Sequence, residues 1–286
     1  MASATERTVV SCCMVAVCAC TTSAPSPDFD HPDERVTGLL RRVECVRSKG
    51  RVACRGDNER GMLGRGTTGA RVDAFVPIEV PRPVTMLALS PSESFACVVD
   101  TSRSIWCWGV NNHGILGENV PLFDGLDEAA SVAKPGRVAG IPPVAVVQAG
   151  HAHACALTTA GEVYCWGLNN KGQVADPRVD SRMVVATPTK VAVPGVAKRL
   201  YLQVNQSCAV AGSDELYCWG GSVPGQPAAQ PAYAATKVGS GVTTVETYRD
   251  GRTCARTAAG ETCWSSDDPA TRGAFEEPLV RRRRPP

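Results

Sequence analysis

Ten cysteines in five recurring pairs constrain this chain more than any other feature of its 286 residues. The pairs are Cys45/Cys54, Cys97/Cys107, Cys155/Cys165, Cys208/Cys218 and Cys254/Cys263, with members 9 or 10 positions apart. Their first members recur at intervals of 52, 58, 53 and 46 residues. A period near 50 is the signature of a repeat architecture, in which each repeat is one supersecondary unit that buries its apolar face against its neighbours. Gly (27) and Pro (21) are abundant, which favours turns over long helices, and helical periodicity is nearly absent.

The third repeat shows what one unit builds. It reads Cys155-ALTTAGEVY-Cys165-WGLNNKG. Setting Cys155 opposite Cys165 in an antiparallel hairpin also sets Leu157 opposite Val163 and Thr158 opposite Glu162. The loop left over is Thr159-Ala160-Gly161, a three-residue connection with glycine at the left-handed position. Directly opposed residues have β-carbons within disulfide reach, so each pair would staple its own hairpin. Such a crosslink over a loop of this size stabilises by roughly 2–3 kcal/mol. Free buried cysteines in a reducing cell are the alternative. Metal binding fits less well, because no Cys-x-x-Cys lies beyond residue 20.

Side chains alternate along Glu162-VYCWG. Val163 and Cys165 point one way, Tyr164 and Trp166 the other. Bulk on both faces expects a strand sandwiched between neighbouring sheets. Val144-AVVQAG reads as a further strand. Val80, Val138 and Val191 each close a Pro-x-x-Val run 17 residues before the next first cysteine; Pro278-Leu-Val280 is a last, isolated copy.

The pattern Cys-Ala-Leu-x-x-x-Gly-x-Val-x-Cys-Trp-Gly-x-Asn-x-x-Gly resembles the regulator of chromosome condensation repeat. The match is best at residues 138–175, good at 80–117, and weaker at 191–226, 45–64 and 238–264. The first repeat departs by having Arg55 where the others have Trp108, Trp166 and Trp219, and it lacks a leading Pro-x-x-Val. The resemblance implies an all-β fold, a β-propeller of about five four-stranded blades. The best-known members have seven repeats. Closure as five blades, an open arc and assembly between chains are all compatible with five. An open arc would expose sticky sheet edges, which favours closure or pairing.

The amino terminus points to export. Val9 to Ala19 is an apolar run of 11 residues, too short to span a bilayer as a helix and of the length of a secretory signal core. It ends in Val17-Cys18-Ala19-Cys20, which resembles a bacterial lipobox, with Cys20 the lipidated residue. A plain secretory signal or a buried strand is the alternative. Removing residues 1–19 and lipidating Cys20 leaves the even set of ten cysteines expected in an oxidising compartment. The expected organisation is a signal peptide at 1–19, a flexible linker at 20–35, the propeller at 36–280 and a basic tail at 281–286. The expected location is the cell envelope outside the cytosol, lipid-anchored to a bacterial membrane or otherwise secreted.

Chemistry-bearing motifs are few. A formal charge of +2 gives no general attraction to nucleic acid. His151 and His153 form an H-x-H pair, for which structural hydrogen bonding is the reading and no third metal ligand is evident. Asn111-Asn112, Asn169-Asn170 and Asp57-Asn58 read as turn formers, since no EF-hand pattern accompanies them. Trp106 and Trp108 read as packing between blades. Asp267-Asp268 and Glu276-Glu277 read as solvated, and no nucleophile or phosphate-binding motif occurs. Pro121–Lys134 is acidic and longer than its counterparts, the candidate partner-binding loop. Arg281 to Arg284 make a basic cluster, read as a solvated terminus. The expected function is a non-catalytic scaffold without cofactor or metal. It binds another macromolecule, expected to be a protein of unknown identity, through its blade-connecting loops. Alternatives are a propeller enzyme acting on envelope carbohydrate or protein, and an intracellular regulator of a small GTPase.

Overall fold

A computed structural model describes residues 29, 31–38, 40–111, 113–116, 131–178, 183–221, 223–224, 232–248 and 251–265. No described residue is helical, and nineteen strands form five antiparallel sheets. The first sheet holds β1 (Glu34–Thr37), β2 (Val43–Ser48), β3 (Arg51–Asn58) and β4 (Gly69–Ile78). The second holds β5 (Val84–Leu89), β6 (Phe95–Asp100), β7 (Ile105–Val110) and β8 (Ser131–Val138). The third holds β9 (Val144–Ala149), β10 (His153–Thr158), β11 (Val163–Leu168) and β12 (Val184–Val191). The fourth holds β13 (Ala197–Leu202), β14 (Gln206–Ala211), β15 (Glu215–Gly220) and β16 (Ala232–Gly239). The fifth holds β17 (Thr244–Thr247), β18 (Arg252–Thr257) and β19 (Gly260–Ser265), with no fourth strand among the described residues.

Strand order within each sheet follows the chain, so the molecule is a row of meanders arranged radially. First strands face the middle: Glu34, Met86, Gln148, Leu202 and Thr247, one from each sheet, line a single cavity. This is an open β-propeller with five blades. The hairpin of the third sheet has the register the sequence implies. Cys155 opposes Cys165, Leu157 opposes Val163, the Thr158 amide donates to the Glu162 carbonyl at 2.8 Å, and Gly161 is left-handed at φ 78°.

Packing is sheet on sheet. One apolar cluster joins Cys97, Cys107 and Ile115 of the second blade to Ala154, Ala156 and Trp166 of the third. Another joins Cys155, Cys165 and Val163 of the third to Leu200, Ala209 and Trp219 of the fourth. Cysteines thus face forward to the next sheet and tryptophans backward to the previous one. Each tryptophan also donates backward through its indole N–H: Trp108 to the Met62 carbonyl, Trp166 to that of Ile115, Trp219 to that of Gln173. Trp264 donates to the Gln206 side-chain oxygen at 2.9 Å.

This polarity explains Arg55. Ala96–Trp108, Ala154–Trp166, Ser207–Trp219 and Thr253–Trp264 are equivalent cross-strand pairs. In the first sheet the pair is Glu44–Arg55, an ion pair at 2.7 Å. Among the described residues no sheet precedes it, so a tryptophan there would have no neighbouring sheet to enter. The forward face of the fifth sheet makes the complementary change. Val99–Ile105, Leu157–Val163 and Val210–Leu216 are apolar pairs in the middle sheets, and their equivalent is the exposed ion pair Arg256–Glu261 at 2.8 Å. Terminal repeats of a stacked array need a polar outer face for solubility, and both ends of this arc have one. Among the described residues no apolar cluster joins the first sheet to the fifth. The sequence argument that stickiness would favour closure therefore meets faces made of charge.

Two further expectations change. The Pro-x-x-Val run ends the fourth strand of a sheet rather than leading the next: Val138 pairs with Ile105 and Val191 with Val163. The copies at Val138 and Val191 thus close their own sheets, and in the first sheet Ile78, paired with Val52, takes the place expected of Val80. Strand β1 begins at Glu34, inside the stretch read as linker. The signal at 1–19, Cys20, Pro278-Leu-Val280 and the tail lie outside the described residues.

Candidate binding surface

Antiparallel meanders send their connections alternately to two rims. Hairpins between second and third strands, with the links between sheets, occupy one rim. The other carries the links between first and second strands and the third-to-fourth connections, described at 59–68, 111, 113–116, 169–178, 183, 221 and 223–224. The hairpin rim repeats one design. The Val84 amide donates to Gly50 and the Thr101 amide to Pro83; Val144 donates to Arg103 and Thr159 to Pro143; Ala197 donates to Gly161 and Gly212 to Val196. Short, uniform connections bonded alike leave little room for a partner-specific shape.

The second rim is tied from end to end by bonds that differ at every step. The Arg42 amide donates to both carboxylate oxygens of Glu93, at 3.1 and 3.2 Å, joining the first sheet to the second. Burial raises the Glu93 carboxyl above its ordinary range, opposed by those amide bonds. Ser90, Ser92 and Ser94 all donate to the His151 carbonyl, joining the second to the third. The His151 amide donates to Val204, and Gln203 donates through its side chain to the carbonyls of Tyr248 and Arg252. Hydrogen bonds therefore link these loops from the first sheet to the fifth.

The asparagines build the long connections outward from this base. Asn58, Asn111 and Asn169 are fully buried at the ends of third strands. Each side-chain oxygen accepts the amide five residues on, from Leu63, Leu116 and Val174. Gly61, Gly114 and Gly172 close the same turns at φ 71°, 67° and 77°. The turn-forming reading holds for these three, while Asn112 lies outside the described residues.

The histidines do not share a face. His151 is exposed, whereas His153 is fully buried with Nε2 at 2.9 Å from Ser207 Oγ. That hydroxyl donates to the Gln173 carbonyl, so the ring donates to it. Burial, with the charge of His151 adding, lowers His153 from 6.5 to about 3. It is a neutral joint between the third and fourth sheets. Trp106 donates to Asp100 within its own sheet at 2.9 Å and packs partly buried in the core between the first two sheets.

The ten cysteines stand directly opposed across second and third strands. Sulfur separations run from 1.98 to 2.15 Å, a placement compatible with disulfides. Residues 121–130 of the acidic insertion, Asp267-Asp268, Glu276-Glu277 and Arg281 to Arg284 lie outside the described residues. Sequence reasoning missed Glu93, the three serines and Gln203. Each acts across a sheet boundary at a position that varies between repeats, so a repeat alignment averages it away.

Residues 104–157 and 144–173 match the description "Regulator of chromosome condensation (RCC1) repeat". The chain is similar to the human probable E3 ubiquitin-protein ligase HERC6, 30% identical over 156 residues that cover 53% of this chain and 14% of that protein. Among solved structures, human WBSCR16 superposes with a TM-score of 0.67 at 20% identity, covering 81% of this chain and 61% of that one. Prp20p from Saccharomyces cerevisiae, whose structure was reported with its binding to Gsp1p and histones, gives 0.61 at 21% identity, covering 74% and 52%. The chain thus spans a small part of that ligase and under two thirds of either solved structure.

Proposed function

We propose that this chain, whose residues 104–173 match the regulator of chromosome condensation repeat, is a non-catalytic, exported scaffold that binds a protein through its long-loop rim. The observation that carries this reading is the rim itself. Connections of unequal length stand on a base hydrogen-bonded continuously from the first sheet to the fifth. A preorganised surface loses little conformational freedom on binding, which favours affinity. Prp20p is itself reported to bind Gsp1p and histones, though that likeness speaks for fold alone.

Export and anchoring through Cys20 complete the proposal. Five opposed cysteine pairs suit an oxidising compartment, and the apolar run before Cys20 supplies a route to it. The test is capture from envelope extract with residues 22–286. Arg60→Glu with Lys171→Glu alters exposed positions on the long-loop rim; Arg51→Glu with Arg103→Glu alters the hairpin rim. The first variant should lose the captured protein and the second keep it. Equal capture by both would contradict the assignment of the rim, and turnover of a cell-wall polymer by the purified chain would contradict the absence of catalysis.

A further inference from the structure

Four of the five cysteine pairs are sealed on two sides. Cys45, Cys54, Cys97, Cys107, Cys155, Cys165 and Cys218 are 0% exposed and Cys208 is 2%. The next sheet covers each pair in front. A fourth strand covers it at the side, setting Val76, Gly136, Thr189 and Thr236 opposite Cys54, Cys107, Cys165 and Cys218. The fifth pair lacks both covers among the described residues. Among those residues no sheet follows it and β19 has no partner on its outer side, and Cys263 is exposed. A second feature is chemical. The potential ligand atoms of Cys254, Glu261 and Cys263 all lie within 4.8 Å of one another, and the Arg256 guanidinium is paired to that same Glu261.

We propose that Cys254–Cys263 is a thiol-exchange site, open to an external thiol while the blades stay folded and the other four pairs stay intact. The inference rests on the oxidised state proposed above. Exchange requires a thiolate to reach one sulfur, so access decides which pair reacts. The incoming thiolate attacks Cys263 Sγ, forming a mixed disulfide, and the S–S bond breaks with its electron pair going to Cys254. The Cys254 thiolate takes a proton from water. A second thiol then displaces Cys263, leaving two protein thiols and one disulfide of the incoming reagent. Glu261 sets the preference: its carboxylate beside the sulfurs neutralises the Arg256 guanidinium, so the pair offers no net positive charge to draw in an anionic attacker. An uncharged thiol suits such a site.

The experiment uses the full chain. Iodoacetamide is first applied in denaturant without reductant, and then after timed exposure of the native protein to dithiothreitol, with peptide mapping of every cysteine. Cys254 and Cys263 should become labelled at least about tenfold faster than any other pair. Glu261→Gln should raise the rate with the anionic thiol 2-mercaptoethanesulfonate several-fold more than the rate with dithiothreitol. Labelling of the ten cysteines before any reductant would overturn the oxidised reading, and this one with it. An oxidised chain whose pairs open together, or whose first pair to open is another, would overturn the exchange site alone. A Cys254→Ser/Cys263→Ser chain that retains the fast phase would do the same.

Discussion

The glycine after Trp108, Trp166 and Trp219 shows how one position serves two constraints. Gly109, Gly167 and Gly220 have φ of 111°, 109° and 100°, where the ladder shifts register between cysteine and glycine. A β-carbon there would fall 2.5, 2.7 and 2.4 Å from the carbonyl oxygens of Ser94, Ala152 and Asn205. Gly167→Ala should therefore destabilise by about 2 kcal/mol or more in urea denaturation, through backbone strain and displacement of the rim loop. His153 makes a prediction of known sign. Its folded value of about 3 lies below its ordinary 6.5. The unfolded chain takes up a proton as pH falls below 6.5 and the folded chain does not, so this stability is whole above that value and drains away toward pH 3. Between pH 7 and pH 5 the loss should be about 2 kcal/mol. His153→Gln should remove that part of the pH dependence; an unchanged slope would refute the assignment.

Hairpins were legible in the sequence because they are local. Cysteine spacing, the turn glycine and strict alternation settle the register within a dozen residues, and Cys155, Leu157 and Thr158 stand opposite the residues so derived. Fourth strands were harder. Pro-x-x-Val is visible as a motif, but which hairpin it joins depends on a pairing across a connection of variable length. Arg55 was visible as an anomaly and became intelligible only once the tryptophans proved to face backward. The two positions should differ sharply in cost. Trp166→Ala empties a seat between two sheets and should destabilise by about 3–5 kcal/mol. Arg55→Ala removes one partner of a surface ion pair and should cost no more than about 1 kcal/mol. Paired denaturation curves measure both; equal losses would contradict the polarity of the blades.

At the scale of the molecule, the arc stays open because its ends carry ion pairs where its middle carries packing. Making one end resemble the middle should change its company. Arg256→Ile with Glu261→Val recreates the apolar pair of inner sheets and should raise self-association in sedimentation velocity at equal concentration. No sequence pattern announces this, since charge at one repeat position is unremarkable until the faces of neighbouring sheets are known. The rim was illegible for the same reason: its ties lie between repeats, not within them. What the account depends on most is that each module is crosslinked through its own hairpin. Intact mass of the native protein, denatured without reductant in the presence of iodoacetamide, reads this directly. The account predicts no alkylation of the ten paired cysteines and a mass ten hydrogens below the reduced chain. Ten alkylated thiols would contradict it.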